Sequence, residues 1–390
     1  MNNKQQKRIT LKPGTKSLLI TALVTLCFGC HKPNDDNHSL RNFTQVNLVA
    51  NSSKYHPVTT DPTLLNAFGL AWSPNGTAWV NSVGGHVSEL YSGEGAIVRS
   101  PVNIPSPNDS IGGLPCGIVF SGGKGFNLAN GPSAFLFTGF DGVLSGWNPA
   151  LGNNAKSIRT PLNSNYTGLA IASNAGRNFI YAANFSANKI DVWDTLFSRV
   201  TMSFKDPGMP EEYSPYNIQA IGDRLFVMYA ELSNVGGTIG HVAGTGKGFV
   251  SIFNTDGSFV KRFASGGSLN IPWGITQAPA SFLDEHDMTK KSSLESNSAP
   301  VGGGDKDELT DPKNPVILVG NFGDGRINVF SLDGGYFGQL QAHEHTIVID
   351  GLWALSFAPS SATAIDPQRL YFTAGPGNEA DGLFGYLNKK

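Results

Sequence analysis

The feature that most restricts this chain is a short unit recurring six times at intervals of about 50 residues. Each copy opens on a strand: Ala67-Phe-Gly-Leu70, Pro115-Cys-Gly-Ile118, Tyr166-Thr-Gly-Leu169, Pro215-Tyr-Asn-Ile218, Pro272-Trp-Gly-Ile275 and Leu352-Trp-Ala-Leu355. A second strand follows in every unit, as in Val316-Ile-Leu-Val319, and then a third, as in Ile327-Asn-Val-Phe330. In the clearest copy these two are joined by Asn321-Phe-Gly-Asp-Gly325. There Asp324-Gly325 supplies the positive-φ residues of a tight turn, and Arg326 to Phe330 alternates outward polar with inward apolar side chains. Fourth strands are visible in the first five units, for example Phe259-Val-Lys-Arg-Phe263. One small antiparallel sheet cannot bury both its faces, whereas a ring of sheets can. The repeat therefore predicts an all-β fold, a six-bladed β-propeller of four-stranded antiparallel blades over residues 43–390. The sixth unit lacks a fourth strand. The unassigned run Phe43-Thr-Gln-Val-Asn-Leu-Val49 is expected to supply it, closing the ring and removing an exposed sheet edge.

Turn-rich composition agrees: 47 Gly and 23 Pro suit many short connections, and 40% apolar residues suffice for a large core. Residues 1–29 hold five basic and no acidic residues; without them 23 basic face 30 acidic residues, a net charge of about −7. A mildly acidic surface argues against nucleic acid as a partner, because phosphate binding draws on clustered Lys and Arg. The basic start leads into the apolar run Leu18 to Phe28, too short to span a bilayer comfortably and flanked like an export signal. Gly29-Cys30 ends it in the manner of a lipoprotein signal, so residues 1–29 are expected to be removed and Cys30 lipidated. Residues 30–42 are expected to be a flexible tether, with membrane contact through the lipid anchor only, and a monomer is expected. Cys116 is the one further cysteine after Cys30, which rules out a disulfide within the domain; in Leu114-Pro-Cys-Gly-Ile118 it reads as a small buried strand residue.

One segment breaks the rhythm. Residues 282–315, in blade five, are polar and Gly-rich and read as a surface insertion; Asp284-Glu-His-Asp287 within it reads as a solvated acidic loop and not a metal cluster. His343-Glu-His345 places alternating imidazoles on one strand face before blade six. Gly236 to Lys247 looks like a phosphate loop but lacks the helix that would follow one, so nucleotide binding is rejected.

In an antiparallel blade the start of the first strand and the end of the second lie at the same end, so six blades present both sets on one rim of the channel. Phe68, Tyr166, Tyr216, Trp273 and Trp353 come from the first set; Asn81, Asp141, Asn184, Glu231, Asn321 and Asp324 from the second. Flat apolar faces beside directional polar groups suit a small polar molecule or a glycan, and the five aromatics are the candidate ligand-binding residues. Asn184, Glu231 and Asn321, from three consecutive blades, are the candidate ligands for Ca²⁺ or another divalent ion.

Three blocks carry a family resemblance: Thr59 to Ser73, Val319-Gly-Asn-Phe-Gly-Asp-Gly-Arg-Ile-Asn-Val-Phe330 and Phe372-Thr-Ala-Gly-Pro-Gly-Asn-Glu-Ala-Asp-Gly-Leu-Phe384. Over nearly all of residues 45–387 the chain resembles an uncharacterised family of exported bacterial proteins, related to the six-bladed propellers that include NHL-repeat, gluconolactonase-like and streptogramin-lyase-like proteins. The resemblance implies the propeller fold and export to a bacterial cell envelope as an outer-membrane lipoprotein. It carries no established activity. The expected function is binding of a small polar ligand, glycan or protein at the channel face; the alternative, by fold analogy, is a metal-assisted hydrolase or lyase inside the channel.

Overall fold

The computed structural model describes residues 38–161, 163–236, 238–283 and 315–389. Six antiparallel sheets follow one another along the chain. Blade one is built on Ala67–Trp72, Ala78–Ser82 and Val87–Tyr91, and blade two on Pro115–Phe120, Phe135–Gly139 and Leu144–Trp147. Blade three uses Tyr166–Asn174, Arg177–Asn184 and Lys189–Asp194; blade four uses Tyr213–Ile221, Arg224–Val235 and Phe249–Asn254. Pro272–Gln277, Ile317–Asn321 and Ile327–Phe330 form blade five, and Leu352–Ser356, Leu370–Ala374 and Leu383–Lys389 form blade six. Each of the first five adds its own outer strand.

Blade six takes its fourth strand from the other end of the domain. Phe43–Ala50 runs antiparallel to Leu383–Lys389, from Phe43 opposite Lys389 to Ala50 opposite Leu383, and the two-residue strand Thr59–Thr60 then pairs parallel outside it. The ring is thus the six-bladed propeller expected, closed by the N-terminal strand. The end of the expected tether packs instead: His38–Leu40 is a 3-10 turn, Leu40 is buried, and the Lys389 ammonium donates to the Ser39 carbonyl at 2.9 Å. Phe282, expected to open a surface insertion, is placed otherwise. Phe282 and Leu283 are buried, with the Phe282 ring 5.1 Å from Phe43, so they belong to the core that seals the closure. Asp284-Glu-His-Asp287 lies outside the described residues.

The motif that opens each blade has a steric reason. A Cβ on Gly274 would sit 2.5 Å from the Trp353 carbonyl oxygen of blade six, and Gly69, Gly117 and Gly168 crowd the next blade's first strand in the same way. Blade four has Asn217 instead, whose amide donates to the Trp273 carbonyl at 2.8 Å and so ties blade four to blade five. Small residues here let the inner strands approach backbone to backbone.

Two local expectations are corrected. Of Asp324-Gly325 only Gly325 has a positive φ, +69°; the Asp324 carboxylate instead accepts from the Asn321 amide at 3.0 Å. Asn328, expected outward, is buried and accepts from Gln339 at 3.0 Å. Blades pack against neighbours on both faces, so the third strand has no solvent face. Its middle position collects buried polar groups around the ring: Glu89, Ser145, Asp191, Ser251 and Asn328. His343 has φ +57° at the tip of a hairpin between Gln341–Ala342 and His345–Thr346, so the two histidines flank an exposed turn and not a strand face.

Candidate functional site at the plugged end of the channel

First-strand starts and the turns after second strands do meet at one end, and aromatic rings fill it. Phe68 stacks on Trp353 at 3.8 Å and meets Trp273 edge-on at 5.0 Å; Trp273 lies 5.9 Å and Tyr216 lies 6.2 Å from Trp353. These four are 0%, 1%, 5% and 3% exposed in the order Phe68, Trp353, Trp273, Tyr216, so they form a plug and not an open wall. Their polar handles are already used. The Trp273 indole N–H donates to the Thr167 carbonyl and that of Trp353 to Asn66 Oδ1, both at 2.9 Å.

Three further rings arrive from a position that the sequence reading passed over, the first residue after the second strand. Phe140 packs on Phe68 at 5.3 Å, Phe185 on Tyr216 at 4.8 Å, and Phe322 stacks on Trp353 at 3.9 Å. The signal was present in Gly139-Phe-Asp-Gly142, Asn184-Phe-Ser186 and Asn321-Phe-Gly323. An eighth ring, His241, comes from the former phosphate-loop look-alike. There the second strand of blade four runs on to Val235 and returns as Thr238–His241. The channel behind the plug, lined by first-strand residues such as Gly69, Gly117, Asn217 and Gly274, holds about 30 Å³, room for a water or two.

Tyr166 turns away from this cluster. Its ring packs on Trp193 at 5.7 Å and its hydroxyl donates to Asp191 Oδ2 at 3.0 Å, while the Asn184 amide donates to the same oxygen at 2.9 Å. Arg199 pairs with the other oxygen. Two expected site residues thus hold a buried carboxylate inside blade three.

The proposed metal ligands are each engaged by local partners. Asn184 Oδ1 accepts from the Asn165 N–H at 3.2 Å; Glu231 is paired with Lys247 and accepts from the Tyr213 hydroxyl at 3.4 Å. Asn321 donates to the Ser268 carbonyl at 2.8 Å, and its buried Oδ1 has no hydrogen-bond partner. Side chains so committed offer too few oxygens for an ion that takes six or more. Among the described residues no group of three or more His, Cys, Asp or Glu is placed to hold a metal. Cys116 is fully buried, and burial pushes its thiol far above the usual range, which leaves it inert.

On the outer side the plug is partly exposed at Phe140, Phe322 and His241. Tyr216 Oη lies 3.1 Å from His241 Nδ1, and Phe322 meets the imidazole edge-on at 5.2 Å. Burial lowers the His241 pKa, so the ring is neutral near pH 7, and Nε2 has no partner among the described residues. Glu379 stands beside them on the turn after the second strand of blade six. The residue is exposed, but its carboxylate accepts from the Asn66 amide at 2.7 Å and is partly shielded from water, which raises its pKa, and its charge adds to the effect of burial in raising that of Tyr216. Asn378 and Glu379 hold φ of +56° and +66° in succession, a strained turn fixed by the Glu379 N–H to the Gly375 carbonyl at 3.0 Å and the Gly377 N–H to Asp350 at 2.9 Å.

Fold and face together define a six-bladed β-propeller whose channel is stoppered by aromatic rings at one end. No protein-family model matches the chain. "Uncharacterized protein L690" of Acanthamoeba polyphaga mimivirus is 32% identical over 364 residues, spanning 88% of this chain and 86% of that protein. "Uncharacterized protein R648" of the same virus is 30% identical over 366 residues, spanning 88% and 80%. The chain belongs to the family of these uncharacterised proteins. They are viral, which does not support the bacterial origin implied by the sequence resemblance. Among solved structures a streptogramin B lyase matches with a TM-score of 0.49 at 12% identity, over 90% of this chain and 98% of that one, too distant a likeness to carry function across.

Proposed function

We propose that this protein is a non-enzymatic binding module that holds a small polar ligand of the saccharide type on its plugged face and not inside the channel. The observation that carries this reading is the plug. Eight rings close the channel behind them and leave Phe140, Phe322 and His241 partly exposed beside the Glu379 carboxylate. Rings give flat apolar contact, and the imidazole and carboxylate give direction. Phe322 lies flat on Trp353, so a ligand on Phe322 is read out by indole fluorescence. Titration of a panel of neutral oligosaccharides is expected to give a saturable fluorescence change that Phe322→Ala weakens about tenfold. A panel without a saturable response, or a Phe322→Ala variant that binds unchanged, refutes the reading.

The alternative is a hydrolase or lyase. A channel void of about 30 Å³ argues against a substrate inside it, and the expected metal ligands are engaged by local partners. What favours catalysis is the neutral His241 imidazole, oriented by the Tyr216 hydroxyl with Nε2 available as a base on the outer face. Turnover separates the two readings: an enzyme turns substrate over and loses that turnover in His241→Gln, whereas a binder shows none with either protein and at most binds more weakly in the variant. We also propose that Cys30 is lipidated and anchors the domain to a membrane. Cys30 and residues 1–29 lie outside the described residues.

A further inference from the structure

Between its first and second strands blade two makes a small hairpin, Asn127–Leu128 paired with Gly131–Pro132. A buried polar clamp holds its base. The Asn148 amide donates to the Gly131 and Pro132 carbonyls, each at 3.2 Å, and the buried Ser121 and Ser133 hydroxyls are bonded at 2.7 Å. So pinned, the hairpin stands off from the outer strand Lys156–Arg159 and leaves a groove of about 530 Å³ between them, within the range of small-molecule sites.

The groove is built with care on its far side too. Its wall from blade three is Phe197, a bulky residue held at φ +57° in the left-handed region. Side chains of this kind rarely adopt that conformation, and such strain persists only where surrounding structure enforces it. Here the turn is locked by the Leu196 and Ser198 N–H groups, which donate to Asp194 Oδ1 at 3.0 and 2.9 Å, and the Phe197 ring packs on Phe126 at 5.6 Å. Leu128, Leu151 and Ile158 complete an aliphatic lining. Among the described residues Lys156 is the one charged residue that lines it; its side chain is exposed, and no described carboxylate pairs with it.

We propose that this groove is a second binding site, separate from the plugged face, for an amphipathic carboxylate such as a medium-chain fatty acid. The apolar walls of Leu128, Leu151, Ile158 and Phe197 take the chain, and the Lys156 ammonium takes the carboxylate at the mouth. A neutral alkyl chain leaves that ammonium without its complement, and a cationic amphiphile is repelled by it.

Decanoate is the probe, titrated calorimetrically into the full chain below its aggregation concentration, with decanol as the uncharged control. One decanoate is expected to bind per chain, more tightly than decanol. Lys156→Gln, at an exposed position where the fold is indifferent to the change, is expected to weaken decanoate about tenfold and leave decanol unchanged. Ile158→Trp, which fills the groove, is expected to abolish both. Absence of saturable decanoate binding up to about 1 mM overturns the proposal. Equal affinity for decanol, or decanoate binding that is unaffected by Lys156→Gln, overturns it as well.

Discussion

Glu89 offers the sharpest test of how the ring is held shut. It sits mid-strand in blade one, 1% exposed, with Oε1 2.6 Å from the Thr63 hydroxyl oxygen; Asp61 Oδ1 lies 2.6 Å from the same hydroxyl. A hydroxyl carries one proton, so it cannot donate to both carboxyl groups, and one of them must be protonated. Asp61 also accepts from the Tyr91 hydroxyl at 2.9 Å and the Thr63 N–H at 3.1 Å, which makes it the acceptor and Glu89 the acid. Burial, and with it the neighbouring Asp61 charge, push the Glu89 pKa up to about 7. In the unfolded chain Glu89 has its ordinary value of 4.5. Above that pH the unfolded state has released the proton while the folded state still holds it. Stability therefore falls by up to about 1.4 kcal/mol per pH unit as pH rises toward 7, and levels off above it, a total of about 3 kcal/mol. The loss falls on the closure, because Asp61 hangs from the N-terminal strand by its N–H to the Ala50 carbonyl at 2.9 Å. Urea unfolding at pH values from 4.5 to 8 measures it. Glu89→Gln keeps the shape and a donor toward Thr63 but cannot ionise, so its stability relative to wild type should rise across that window by about 3 kcal/mol. Parallel curves for the two proteins would refute the argument.

Three further expectations follow from the ring. Deleting residues 43–49 strips the fourth strand from blade six and exposes the apolar surface under Phe43 and Phe282; calorimetry should show aggregation or a much lower Tm, and an unchanged Tm would mean that the ring closes another way. Gly274→Ala forces a methyl against the Trp353 carbonyl and should cost about 1–3 kcal/mol in chemical denaturation, whereas the same change at Gly152, where a Cβ meets nothing within 4 Å but φ is +63°, isolates the backbone contribution. If Cys30 carries a lipid, Cys30→Ala should move the protein from the membrane fraction to the soluble one, and persistent membrane association would refute the anchor.

The architecture was legible because a propeller repeats its solution: the aromatic-Gly entry at 68–69 and 273–274 marks the place where inner strands nearly touch. Phe68, Tyr216, Trp273 and Trp353 could be put at one end of the channel from strand direction alone. Strand direction does not say which way a side chain turns there. Tyr166 begins its strand one residue earlier than Phe68 or Trp273 within theirs, and the two-residue period sends it into the blade interface toward Asp191. Glu231 and the two Asn residues looked like free oxygen donors because their local partners, Lys247, Asn165 and Asp324, lie across turns that spacing does not resolve. Phe140, Phe185 and Phe322 were hidden in turns read for their Asp, Asn and Gly. His241 depended on a hairpin extension that no repeat predicts. Asn328 and Glu89 violate the alternation expected of a half-exposed strand because a blade has neighbours on both sides.

The most direct test of the plug is amide-type hydrogen exchange at the indole nitrogens, with the protein labelled with ¹⁵N only at tryptophan and the signals assigned through Trp273→Phe and Trp353→Phe. The plug buries both rings and commits their N–H groups to the Thr167 carbonyl and to Asn66. Both signals should exchange at least about a thousandfold more slowly than free indole. Exchange at the free-indole rate for both would mean an open channel mouth, and a ligand site inside the ring instead of on its face.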